Sequence, residues 1–319
     1  MTKQSAFPYV AVIVATALLA LLPYVIGSFG LSFAIATLNF AVVATAWGMF
    51  CGPTRYISLA SVVFFGAGSY TVAVLGDYVS WPLLLLIAAF VGAAIALIVG
   101  LATLRLEGIY FVIFTFGLSE MIRQLATWYE FNITESVGRY VFLDITQEQI
   151  YWQLLVLLAL LLIGGTVLAR SRLGFALRVI GGDEMVARHF GLNPTIAKLC
   201  LFMLSSMVIA VAGAIMAPRW TYIDPAIAFN PTLSFQVVIM ALLGGMHRIY
   251  GPLLGALLMS ALFEALGSQF PHAFALLLGL VFIVIVYLLP NGIVGRVEQA
   301  LARVRNGRAD ASALVEQRS

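Results

Sequence analysis

Apolar runs close to twenty residues long recur from one end of this 319-residue chain to the other. A helix needs about 20 residues to cross a hydrocarbon core about 30 Å thick, and inside lipid it satisfies every backbone group within itself. Strands of a membrane barrel would instead show as segments of about ten residues with alternating polarity. The runs here do not alternate. With 62% hydrophobic residues, 10% charged residues and a mean hydropathy of +1.05, the chain reads as an all-α integral membrane protein. The expected architecture is a polytopic bundle of about ten transmembrane helices, over residues 8–26, 31–50, 57–76, 82–101, 109–128, 150–169, 199–217, 232–246, 251–268 and 273–289. One transmembrane domain would cover 1–295, and 296–319 would form a polar tail. The first run has one flanking lysine and no small-residue cleavage site, so it is expected to stay as a helix. In the second and eighth, Gly, Pro and short loops also permit re-entrant or broken helices.

Loops rich in Lys and Arg stay on the cytoplasmic side. With ten spans and a cytoplasmic N-terminus, Lys3, Arg55, Arg105, Arg170, Arg172, Arg178, Arg188, Lys198, Arg248 and the arginines after 295 all fall inside, while Arg139 and Arg219 fall outside. Both termini are therefore expected in the cytoplasm. The net charge of +3 reports this orientation and does not indicate a nucleic-acid partner. Cys51 and Cys200 lie near inner span ends, where a reducing compartment favours buried, inert thiols.

Several chemistries are excluded. The two lysines, Lys3 and Lys198, are not preceded by the glycines of a phosphate-cradling loop, so the chain does not hydrolyse ATP by that route. His189, His247 and His272 lack metal-protease spacing. The Gly68-Ser69 pair has no histidine in a later span to act as a base. No catalytic residue, metal or cofactor is expected in this chain.

Small residues and intramembrane charges are the remaining signals. Gly48 and Gly52, Gly251 and Gly255, and Gly66 and Gly68 let helix backbones approach closely, or provide breaks and sliding surfaces beside Pro53 and Pro252. Glu120 and Arg123 lie three residues apart, on one helical face, and suit either mutual neutralisation or a polar path. Glu264 has no cation nearby in sequence, and Asn39 could bond a neighbouring helix or a polar solute. These four are the candidate path residues.

Residues 170–198 are long, charged and helix-compatible between two hydrocarbon runs. Gly181 and Gly182 interrupt it. Asp183 and Glu184 can then cap a short helix that Gly191, Asn193 and Pro194 end. So short a helix is marginal in water and needs a surface to pack on.

Four ordered blocks carry a family resemblance. SLASVVFFGAGSYTVAVL, LRLEGIYFVIFTFGLSEMIR, SRLGFALRVIGGDEMVARHFGLN and ALLGGMHRIYGPLLGA resemble those of the LivM-like permeases of branched-chain amino acid ABC importers, over about residues 30–296, with Pro290, Gly292 and Gly295 fitting a terminal PxGxxG. The resemblance implies that Asp183, Glu184, Ala187, Gly191 and Asn193 belong to a coupling helix seated in a partner ATPase. It implies a LivH-like second permease, two cytoplasmic ATPases that bind ATP and Mg, a periplasmic or extracellular solute-binding protein, and residence in a bacterial cytoplasmic (inner) membrane. The chain departs from the pattern at Met185-Val186-Ala187, at Ala60-Ser61 and at His247-Arg248. Relatives of this type also serve urea, short amides and aromatic acids, and a stand-alone secondary carrier is the reading from another class.

Overall fold

A computed structural model of the chain describes residues 7–106, 108–135, 137–246, 248–288, 292–293 and 295. His247, Pro290 and the expected tail 296–319 lie outside the described residues. The helices are α1 Phe7–Ala20, α2 Ser28–Thr54, α3 Ser61–Leu75, α4 Trp81–Thr103, α5 Ile109–Tyr129, α6 Gln147–Arg170, α7 Arg172–Gly182, α8 Glu184–His189, α9 Pro194–Met216, α10 Pro225–Ala228, α11 Pro231–Gly244, α12 Gly251–Gln269 and α13 Phe274–Leu288. Two short strands, β1 Arg139–Tyr140 and β2 Tyr222–Ile223, pair antiparallel.

Every expected apolar run contains a helix, but the structure does not support a count of ten full spans. Among the described residues, seven helices are long and apolar enough to cross a membrane: Ser28–Thr54, Trp81–Thr103, Ile109–Thr134, Gln147–Arg170, Pro194–Arg219, Pro225–Gly244 and Gly251–Gln269. The apolar helices Val12–Tyr24, Ser61–Leu75 and Pro271–Ile285 are shorter. Leu22–Tyr24 and Pro271–Ala273 tighten into 3-10 turns with a proline near their start, and residues 55–60 leave the helix altogether.

α2 is the central element. It packs against α6, α9, α12, α11 and α7, and its middle from Ala41 to Gly48 is wholly buried. No break occurs in this second span. The eighth is likewise unbroken from Pro231 to Gly244, and the chain kinks just before it, at Phe229–Asn230, where Asn230 caps α11 after the short α10 that Asp224 caps.

α3 and α4 lie tightly on α9. A Cβ on Gly68 would overlap the Ala210 backbone, and one on Gly92 would stand 2.5 Å from Ala210 Cβ. Only residues without a side chain allow this approach, and the close packing it gives is what holds helices together where lipid competes for apolar contact. Gly251 and Gly255 likewise meet the backbone of α11, while Gly292, at φ +67°, lies against Gly245.

Cys51 is buried as expected, but Cys200 is exposed, because it occupies the outward side of α9.

Candidate functional site

After α2, Arg55 takes a left-handed conformation (φ 60°) and turns the chain back. Residues 55–60 then run back along α2, since Trp47 Nε1 donates to Ser58 O at 2.7 Å, more than a helical turn above the end of α2 at Thr54. A non-helical stretch among membrane spans must find hydrogen bonds elsewhere. Leu59 N–H donates to Thr115 Oγ1 of α5 (3.1 Å), and Leu59 O accepts from Ser119 Oγ of α5 (3.3 Å) and Ser234 Oγ of α11 (2.9 Å). Val62 N–H, at the uncapped start of α3, donates to Ser234 Oγ at 3.1 Å. Thus α2, α5 and α11 converge on one irregular segment through side chains. Breaks of this kind, lying among the spans, are where membrane transporters form solute sites.

α5 is the least enclosed span. Only 17% of its most apolar window is buried, against 61% for α2 and α9. Glu120 and Arg123 sit on its open side, with side chains 38% and 28% exposed. They form a two-bonded pair: Arg123 Nε donates to Glu120 Oε2 at 2.9 Å, and Arg123 Nη2 to Glu120 Oε1. Gln124 Nε2 adds a bond to Glu120 Oε1 at 3.0 Å. One turn before Glu120, Gly117 opens onto empty space. Gly117, Glu120 and Gln124 therefore make a polar, small-residue stripe on a span that the described residues leave mostly uncovered.

The other path candidates are elsewhere. Asn39 is 5% exposed within the α2 core, and its Oδ1 is buried without a hydrogen-bond partner. Glu264 is exposed on α12 and lies within electrostatic range of Arg219, the cation that its sequence surroundings lack. Among the described residues, no hydrogen bond or ion pair joins either to the Glu120–Arg123 pair. Gly48 and Gly52 line an inner cavity of about 320 Å³, and Gly66 meets Phe229 and the Ala228 carbonyl oxygen.

The segment 170–198 forms α7 and α8, joined by Asp183. Asp183 Oδ1 caps α8 by accepting from Met185 N–H (2.7 Å) and Val186 N–H (3.2 Å). Gly191 ends it at φ +75°, and Asn193 Oδ1 accepts from Ile196 N–H to start α9. Ala187 is fully buried, whereas Met185 and Phe190 are 70% and 76% exposed. Glu184 turns inward. Its Oε1 accepts from Lys198 Nζ (2.6 Å) and Tyr56 OH (3.0 Å). Lys198, read from sequence as one of the orienting cations, is 2% exposed and neutralised within the fold.

Sequence reasoning missed Lys198, Tyr56, Thr115, Ser119 and Ser234. A signal existed for Lys198: a cation at the mouth of an apolar run needs a partner, as Glu264 does. For the hydroxyl residues none existed, because their partners are 56 to 175 residues away.

The family model described as "Branched-chain amino acid transport system / permease component" matches residues 29–286. The chain is similar to the high-affinity branched-chain amino acid transport system permease protein LivM of Salmonella typhimurium, with 25% identity over 96% of this chain and 78% of that protein. It is 25% identical to LivM of Escherichia coli over 90% of this chain and 75% of the relative. LivH of Salmonella typhimurium is 30% identical over 48% of this chain and 49% of its own length. No solved structure matches. A helical body of membrane-spanning length, with a match over most of its residues, assigns this chain to the branched-chain amino acid transport system permease components.

Proposed function

We propose that this chain is the membrane subunit of an ATP-driven importer for branched-chain amino acids, paired with a second, similar permease. Two cytoplasmic ATPases and an extracytoplasmic solute-binding protein complete the complex. The observation that carries the reading is α5: a span left mostly uncovered by the described residues while bearing Glu120, Arg123 and Gln124. Charged groups facing lipid cost a few kcal/mol each, so such a face belongs against protein or a water-filled path. The relatives named LivM and LivH supply the chemistry of a permease pair. In this reading the solute passes along the joint between the two permeases, beside the polar stripe of α5 and the irregular segment 55–60.

The cation distribution supports placing 170–198 and both termini in the cytoplasm of a bacterial inner membrane. α8 then presents Met185, Arg188, His189 and Phe190 outward, a short amphipathic surface suited to a cleft in an ATPase. ATP and Mg belong to that partner, and this chain contributes binding and movement without covalent chemistry.

The test is leucine uptake and ATP hydrolysis by the reconstituted complex in liposomes with binding protein, with urea as the competing solute. Leucine is expected to stimulate hydrolysis. Gly191→Pro should abolish the stimulation, because proline cannot adopt φ +75°. Uptake that persists after the ATPases are removed would overturn the proposal in favour of a secondary carrier.

A further inference from the structure

α8 is flanked by residues that make it easy to swing. Gly182 has nothing within 4 Å of where a Cβ would be, and Gly191 occupies a left-handed conformation with open space around it. A helix so hinged could move without moving the membrane body, unless a side chain ties it down. Glu184 is that tie. Lys198 Nζ, 2.6 Å from Glu184 Oε1, also donates to Tyr56 OH at 3.0 Å and lies 4.2 Å from the centre of the Tyr56 ring. Tyr56 OH itself donates to Glu184 Oε1 at 3.0 Å. The three groups close a half-buried ring of contacts, with Lys198 at its enclosed side, between α8, the start of α9 and the beginning of the irregular segment.

Three residues further on, Leu59 is held by Thr115 and Ser119 of α5 and by Ser234 of α11. Ser119 is the residue next to Glu120. A chain of named contacts therefore runs from the cytoplasmic helix to the open polar face of α5, with no step made by apolar sliding alone.

We propose that Glu184, Lys198 and Tyr56 form a strut that transmits displacement of α8 through segment 55–60 to α5. Lys198 and Tyr56 are positioning residues, which act through Glu184 and touch neither the solute nor the ATPase. This rests on the reading of α8 as the element that meets the ATPase. It alters one part of that reading: Glu184 works within this chain, and docking falls to its exposed neighbours. An ion pair suits the task, because removing Glu184 leaves the buried Lys198 charge unpaired and forces the assembly to rearrange.

The test uses the reconstituted complex carrying Lys198→Met, Glu184→Gln or Tyr56→Phe, with ATPase co-purification, leucine taken up per ATP hydrolysed, and amide exchange as readouts. The ATPases should still co-purify. Uptake per ATP should fall about tenfold for the two charge variants and less for Tyr56→Phe, in keeping with typical coupling energies between sites. Lys198→Arg should restore most of it. Loss of ATPase binding in all variants, or unchanged uptake per ATP, would overturn the strut. A wild-type complex that shows no ATP-dependent uptake refutes the importer reading instead. The strut is then decided by exchange alone: Tyr56→Phe, a substitution mild enough to keep the fold, and Lys198→Met must raise exchange both in α8 and at residues 57–62. A rise confined to α8 would overturn it.

Discussion

Ser234 shows how one hydroxyl can stand in for part of a helix. Its oxygen accepts from Val62 N–H and its proton goes to Leu59 O, so it serves two backbone groups that no turn of α3 could reach. Ser234→Ala leaves Val62 N–H buried without this acceptor, and should destabilise the protein by about 1–3 kcal/mol, read as a lower unfolding midpoint in detergent. Gly68 makes the opposite point. Its value is the absence of a side chain, since a Cβ would collide with the Ala210 backbone of α9. Gly68→Val should cost about 1–3 kcal/mol by overpacking, with the same readout. Gly117 is the contrasting glycine, with nothing near it. Gly117→Trp should leave unfolding of the isolated chain unchanged, yet abolish co-purification of the second permease. Retained pairing would remove that face from the proposed joint.

At the scale of elements, α8 and α5 are incomplete for different reasons. α8 has six residues, too few to hold itself together, and depends on its cap and its neighbours. Asp183→Ala should raise amide exchange throughout α8, because losing a cap of this kind costs about 0.5–2 kcal/mol. α5 is long enough, but the described residues leave its polar stripe largely open. Glu120→Leu alone strands Arg123 in the span, and should impair assembly more than the double substitution Glu120→Leu with Arg123→Leu, which removes both charges. Equal losses in the single and double variants would argue against mutual neutralisation. The spacing of this pair was legible in sequence, as were the Asp183 cap and the helix stop at Gly191. The inward turn of Glu184 was not, because its side chain meets Tyr56, 128 residues away, as well as Lys198.

For the whole molecule, the proposed orientation has its own test. A cysteine at Met185 should react with an impermeant maleimide only from the cytoplasmic side, and one at Tyr140 only from the other side, since both side chains are exposed. The sequence by itself determined that the chain is helical and membrane-embedded, where its apolar runs lie, and which blocks tie it to its family. These follow from local composition and period, which act over a helix length. Only the tertiary structure decided that seven helices among the described residues are long enough to cross a membrane, that segment 55–60 leaves the helix, and that Glu184 faces Lys198. The non-helical segment depends on partners far along the chain, and the Glu184–Lys198 pair on α8 folding back against α9. Trp47, Thr115, Ser119 and Ser234 supply the hydrogen bonds that make a non-helical segment tolerable inside the bundle, and packing brings them together.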